Sequence, residues 1–287
     1  LGKKRIEEIS KDKADHEIYF INQLDQIPSN IDLCIIATQA KGRLESIKKV
    51  YNLTKVKLFL IEKLVSRTVQ EYEDILKFTS SNNIKIWVNC KSRAFEIHNK
   101  LRFIHNKSFS DKLLFSCTAG NWGLITNGIH ALDLFLFYDQ SETLELINIE
   151  INQESFKTKR NNIDISGSIL AKSNKGSFFS LNFFKNSSMP DIYSISNHKF
   201  NCIIDHMDRS YFLSQDSNNW QYEYNKINED WLISGMTKKI VLEILNKKSS
   251  KLPLINEHFL AHKFLLDNFY SFYSKNNYLE NGEMIIS

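Results

Sequence analysis

No apolar run in the 287 residues reaches the roughly 18 that a membrane-crossing helix needs, so the expectation is a chain with no membrane partner. Charge of one sign is also scarce. The 37 basic and 33 acidic residues leave a net +4, spread in short pairs such as Lys238-Lys239 and Lys247-Lys248, too thin for a nucleic-acid footprint. Cysteine is rare and dispersed. Cys34, Cys90, Cys117 and Cys202 form no C-x-x-C pair, three of them sit in apolar strand-like runs, and they read as reduced core thiols of a cytoplasmic protein. The start, Leu1 to Arg5, has no initiator Met and no apolar stretch behind its charges, which reads as neither a signal peptide nor a natural beginning. No internal repeat or low-complexity tract is visible.

What is present is a core. A 42% apolar content with 12% aromatics, twenty of them Phe, buries enough surface for a folded chain, and the length suggests two domains. The first third alternates strand and helix signals. Residues 32–38 form a continuous apolar run, 44–51 a helix, 56–61 a second strand, 69–80 a helix with Val69, Tyr72, Ile75, Leu76 and Thr79 on one face, and 84–88 a third strand. Such alternation predicts a parallel α/β sheet. After about residue 140 the pattern changes to short runs alternating apolar with polar, at 144–151, 163–172, 177–184, 192–196, 200–205, 210–214 and 220–224, which predicts a mainly antiparallel sheet. Helices are expected at 229–246 and 255–273. The division is placed at 109/110.

Ligands of a parallel sheet bind beyond the carboxyl ends of its strands, so the residues there carry most weight. They are Thr38-Gln39-Ala40, Glu62-Lys63-Leu64, and Asn89 to Arg93. An ammonium at Lys63 could hydrogen-bond a substrate oxygen; equally, it could be a solvated lysine paired with Glu62. A second cluster, Gly120 to Asp133, holds three of the nine glycines, and glycine lets a backbone pass close to a ligand. On the helix it enters, Thr126, His130 and Asp133 fall on neighbouring positions. Histidine suits proton transfer near neutrality, but a half-buried histidine that packs near a helix start fits the same spacing. His258 and His262 have the i, i+4 spacing of a metal pair, yet Phe259 stands where the zinc-protease pattern needs Glu, and no metal is expected.

Together these segments resemble the Gfo/Idh/MocA family of dinucleotide-dependent sugar and cyclitol oxidoreductases. Residues 32–38 look like its strand ending in Ala-Thr-Pro, Glu62-Lys63 like its Glu-Lys-Pro motif, and Gly120 to Asp133 like its glycine-rich segment ending in Asp-x-Gly-x-His-x-x-Asp. Leu252-Pro253 before a helix fits the family's C-terminal end. The resemblance implies a Rossmann domain followed by an α+β domain with a large, mainly antiparallel sheet flanked by helices, with homodimers or homotetramers formed through that sheet. It implies NAD or NADP as cofactor, a sugar-type substrate, Lys63 and His130 as catalytic residues, and Thr38, Gln39, Ala40, Glu62 and Lys63 on the cofactor side. Arg93, Asn121, Trp122, Thr126 and Asn127 would contact substrate.

The departures are specific. Thr126 replaces the family's aspartate and can hydrogen-bond but not titrate, and restoring an aspartate there is expected to be tolerated. Leu64 and Gln39 replace prolines, and Arg43 replaces a histidine. Asn121-Trp122-Gly123 resembles a subgroup associated with bacterial surface-sugar and nonulosonic acid synthesis. Only Gly2 precedes Gly42, so the G-x-G-x-x-G that sets a pyrophosphate against a helix N-terminus is missing. Residues 5–10 read as a helix and 18–20 as a short strand, so about 35 residues of the expected domain are absent and cofactor binding should be impaired. Two functions follow: an NAD(P)-dependent oxidoreductase acting on a sugar or nucleotide-sugar hydroxyl or carbonyl, or a non-catalytic sugar- or partner-binding protein on the same fold.

Overall fold

The computed structural model describes Tyr19 and residues 21–106, 112–152, 155–158, 161–228 and 233–286. The expected helix at 5–10, the strand at 18–20 apart from Tyr19, and the start of the helix expected at 229 lie outside the described residues. The first sheet has three parallel strands, β1 (Cys34–Ile36), β2 (Leu58–Ile61) and β3 (Lys85–Val88), in that order. All four residues of β2 are buried, as a central strand covered on both faces requires. At the edge, β1 leaves Ile35 51% exposed, and Cys34 is only half-buried rather than a core thiol.

Helix α1 (Arg43–Thr54) follows Gly42, whose φ of 70° lies in the left-handed region, and α2 (Val69–Ser81) is capped by Thr68, which accepts from the Glu71 amide at 3.1 Å. Its expected apolar face is the observed one, with Tyr72, Ile75 and Thr79 buried. Helix α3 (Glu96–Asn106) was not evident from its sequence pattern, although Ile97 and Leu101 are buried one turn apart.

The second sheet has eight strands: β4 (Leu114–Gly120), β5 (Leu144–Ile151), β8 (Gly167–Ser173), β9 (Phe178–Phe184), β10 (Ile192–Ser196), β11 (Phe200–Asp205), β12 (Ser210–Gln215) and β13 (Glu223–Lys226). They run in the order β13-β12-β11-β10-β4-β9-β8-β5. Every neighbouring pair is antiparallel except β4 with β9. The expected strand 163–172 is broken in two. Its first residues form β7 (Ile163–Asp164), which pairs with β6 (Phe156–Lys157) in a separate hairpin, before Gly167 at φ 142° starts β8. The strand expected at 220–224 begins later, because Asn219 and Trp220 take left-handed backbone after a tight turn.

Strand β4 was not singled out in the sequence, yet its period is plain: Phe115, Cys117 and Ala119 are buried while Leu114 is exposed. The Phe115 ring meets Phe135, Phe179 and Tyr193 at centroid distances of 5.9, 5.8 and 5.9 Å, so truncating it would cost about 3–5 kcal/mol. Helix α4 (Gly128–Asp139) packs onto this inner face. Helix α5 (Ile233–Lys247) precedes α6 (Ile255–Lys275), which ties the two sheets together. Tyr72 donates to the Ile255 carbonyl at 2.8 Å, the Val88 amide donates to the Pro253 carbonyl at 3.0 Å, and α6 also packs on α4. A small hairpin, β14 (Leu279–Glu280) and β15 (Glu283–Met284), closes the chain. No helix among the described residues is long and apolar enough to cross a membrane.

Candidate functional site

The carboxyl ends of β1 and β2 are held by one buried side chain. The Arg43 guanidinium donates to the carbonyls of Ile36 (3.0 Å), Thr38 (2.8 Å) and Leu64 (3.4 Å), so it fixes the loops that follow both strands. Burial pulls its pKa down to about 10, which still leaves a cation at neutral pH. The Lys63–Leu64 peptide that it braces is cis. Beside it, Asn89 at the end of β3 donates to a Glu62 carboxylate oxygen at 2.7 Å. Thus the sequence's strand-end residues are locked to one another before any ligand is considered.

The turn leading into α4 meets them from the other side. The Lys63 ammonium donates to the main-chain carbonyl of Thr126. Thr126 is buried, its hydroxyl donates to the Asp164 carboxylate, and its amide and that of Ile125 also point at Asp164, at 3.3 and 3.4 Å. The glycines of this segment make room for the protein itself, and Gly123 also lines the cleft between these elements. A Cβ on Gly123 would lie 1.7 Å from an Asp164 oxygen, and one on Gly120 would lie 2.2 Å from the Ser187 carbonyl. Asn127 starts α4 without using its side chain as a cap.

These elements enclose a cleft of about 770 Å³, a size that holds a drug-sized or nucleotide-sized ligand. Thr38, Glu62, Lys63, Asn121, Thr126 and Asn127 line one side. Phe156, Lys157, Thr158, Asn162 and Asp164 of the β6–β7 hairpin complete the lining, and of these only Asp164 lay in the strand expected at 163–172.

His130 lies one turn beyond Thr126. It is not among the residues lining the cleft, and it is the single position of α4 that is half-buried where the others are fully buried, with its Nδ1 enclosed and without a hydrogen-bond partner. Burial first, then the charges of Lys63 and Lys91 against the opposing Asp133, hold its pKa well below the usual histidine value. It is therefore a neutral imidazole, a proton acceptor, at pH 7.

Asp133 does not serve His130. Its two oxygens are taken by the fork of Arg93, both bonds 2.7 Å, and one also meets His258 Nδ1 at 2.9 Å. Burial pushes the Asp133 carboxyl up, but Arg93 and His258 outweigh it and keep it below the usual range. Arg93, expected at the substrate, is instead buried in this pair and borders a different cleft of about 460 Å³, with Arg102 and Glu257. Cys90, Asp133 and His258 lie within 4.8 Å of one another, yet burial keeps Cys90 a thiol and Arg93 occupies the carboxylate. His262, the other half of the helical pair, faces the Ser66 carbonyl at 3.0 Å rather than a shared centre.

Of the remaining expected residues, Trp122 is half-buried with its ring edge-on to Phe183, Gln39 is half-buried, and Ala40 is in the core. Arg43 and Asp164 were missed. The first was visible only as a family histidine replaced, and the second had no sequence signal beyond an acid in a strand. For a dinucleotide, the residues present fit the nicotinamide end, where a carboxylate fixed by Asn89 and an ammonium fixed by Thr126 face one cleft. For the pyrophosphate end, the described residues hold no glycine-rich loop at a helix N-terminus.

No protein-family model matches the sequence, and no curated protein matches it. Solved structures do share its fold, and they are of the Gfo/Idh/MocA type. A dehydrogenase, MviM, from Clostridium difficile has 15% identity over 94% of this chain and 87% of its own, with a TM-score of 0.71. A super-repressor mutant of Gal80p from Saccharomyces cerevisiae has 14% identity over 96% and 86%, TM-score 0.70. KijD10, a 3-ketoreductase from Actinomadura kijaniata in complex with NADP and TDP-benzene, has 10% identity over 92% and 85%, TM-score 0.67. At these identities the likeness establishes the fold.

Proposed function

We propose that this chain is an NAD(P)-dependent oxidoreductase that acts on a hydroxyl or carbonyl of a sugar or nucleotide-sugar. The observation that carries the proposal is the Lys63–Thr126 hydrogen bond, which joins the strand-end Glu62-Lys63 pair to the turn before His130 on the wall of one cleft. The 3-ketoreductase of the same fold, held with NADP and a TDP ligand, supports the substrate and cofactor classes.

A bound nicotinamide would give or take hydride at the substrate carbon. Glu62 and Thr38 stand on its side of the cleft. Lys63 presents an ammonium whose charge stabilises developing negative charge on the substrate oxygen. His130, neutral at pH 7, is the acceptor for the hydroxyl proton on oxidation, and protonated it returns that proton on reduction. Phe156, Thr158 and Asn162 of the hairpin line the same cleft and would contact the sugar. We further propose that copies pair through the outer face of the large sheet, where Leu114, Phe178, Phe184, Ile203, Phe212 and Tyr224 are exposed.

The test is a turnover assay in both directions, with NAD(H) and NADP(H), against UDP- and TDP-linked sugars and their 3-keto forms. Turnover that falls in the Lys63→Ala and His130→Ala variants supports the reading. Absence of turnover across the panel at dinucleotide concentrations shown by calorimetry to fill the site, with sugar-nucleotide binding retained, replaces it with a non-catalytic binding protein.

A further inference from the structure

We infer that Asp164, on the short hairpin strand β7, is a positioning residue of this cleft: it fixes the turn before α4 and, through the Thr126 peptide, sets where the Lys63 ammonium stands. The inference rests on the reading of Lys63 as the group that meets the substrate oxygen.

The carboxylate is fully buried, yet it lies on the cleft wall and is surrounded by donors. Its oxygens accept from the Ile165 amide at 2.9 Å, the Thr126 amide at 3.3 Å, the Ile125 amide at 3.4 Å and the Thr126 hydroxyl. Amides only donate, so the three amide bonds favour the ionised form over the neutral one. Burial pushes the pKa up, and the Thr126 hydroxyl and the three amides pull against it. Gly123 leaves the space that the carboxylate fills. One residue therefore links two groups of opposite sign: the N–H and hydroxyl of Thr126 are held by Asp164, and its carbonyl accepts a hydrogen bond from the Lys63 ammonium. By fixing the Thr126 amide and hydroxyl, Asp164 fixes where the Thr126 carbonyl stands as acceptor for the ammonium.

The charged and titratable groups around this pair come from several elements. Glu62 adjoins Lys63 at the end of β2, and Lys157 stands on β6. His130 of α4 and Cys90 after β3 lie in the field of Lys63, and Tyr273 of α6 lies in the field of Asp164. None of the others bonds both the turn and its side chain as Asp164 does.

The experiment measures the Lys63 ammonium directly and needs no substrate. The full chain is labelled with trace acetic anhydride across pH 7 to 11, and the peptide carrying Lys63 is quantified against that carrying Lys226, which pairs with Asp208 at the far edge of the sheet. Asp164→Asn is expected to lower the Lys63 titration midpoint by about one unit, which raises its labelling near pH 8 about 10-fold, with Lys226 unmoved. Asp164→Glu should restore part of the shift. If Asp164→Asn does not fold, Thr126→Val, which removes the hydroxyl and keeps the carboxylate, should shift the midpoint in the same direction and Thr126→Ser should not. A Lys63 midpoint unchanged in the folded variants overturns the inference, whether or not the protein turns over a sugar. Conversely, a wild-type chain without oxidoreductase activity but with the shift intact overturns the functional reading alone.

Discussion

Lys63 and Thr126 lie 63 positions apart, yet the ammonium of the first donates to the main-chain carbonyl of the second, fastening the end of a parallel strand to the turn that opens α4. If this junction is where the reaction occurs, Lys63→Ala and His130→Ala should each lower turnover by about 100-fold or more while leaving the far-ultraviolet spectrum unchanged. Thr126→Asp, which the sequence alone suggests is harmless, should not be. Its new carboxylate would face Asp164 in a buried site, where two like charges cannot both ionise. A lower urea midpoint that recovers as pH falls is the expected result.

Much of this arrangement was legible in the residues, and the part that was not has a physical cause. Continuous apolar runs gave β1 to β3 their order along the chain, and the Glu62-Lys63 pair stood out because it follows one of them. The long-range partners were hidden. Asp164 sits in what reads as a single alternating run from 163 to 172, and nothing local reveals that its two ends belong to different hairpins. Arg93 was placed at the substrate because it follows a strand; its fork is consumed by an aspartate 40 positions on, a pairing set by helix α4 packing and not by spacing. The three glycines before α4 suggested room for a ligand, whereas side chains and carbonyls of the protein itself fill that room at Gly120 and Gly123.

The Arg93–Asp133 pair should be among the most costly to break. Both partners are buried and bidentate, so removing either leaves the other charged and without its partner in a low-dielectric core. Arg93→Ala and Asp133→Ala should each destabilise by about 3–5 kcal/mol in urea unfolding. The double variant should cost less than the sum of the two, because the second removal takes away a charge already stranded.

Acid should unfold the protein from a defined pH. Burial holds His98 and His130 well below the usual histidine pKa and pulls His262 down to about 3. The unfolded chain protonates all three below about pH 6.5 while the folded chain does not, so stability is complete above that value and declines as pH falls towards the folded pKa. At pH 5 the loss is about 2 kcal/mol for His262, and His98 and His130 act in the same direction. Urea midpoints at pH 7.5 and 5.0 measure it, and His262→Asn should flatten the slope between them.

The dinucleotide should bind weakly to this chain. Without a glycine-rich loop, the pyrophosphate lacks the row of backbone N–H groups that a helix N-terminus supplies. Calorimetric titration with NADH and NADPH should give dissociation constants well above the micromolar range. Micromolar affinity for either would mean that another segment cradles the phosphates.

The outer face of the large sheet carries the last expectation. Register places Leu114 opposite Phe178, and Ile203, Phe212 and Tyr224 in one row across three strands, so this single face carries two exposed apolar clusters with Ser194, Ser196 and Ser116 between them. Phe212 and Tyr224 already touch, with ring centroids 5.2 Å apart. A monomer rarely leaves such a face in water, and two twisted sheets pack face to face at about 10 Å with their side chains interdigitated. Sedimentation of the 287-residue chain should therefore report a dimer or a multiple of it. Ile203→Asp and Phe212→Asp, which add charge to the outer face and leave the inner core of Cys202, Ile204 and Leu213 intact, should convert it to a folded monomer. A wild-type chain that sediments as a monomer at every concentration would overturn the pairing.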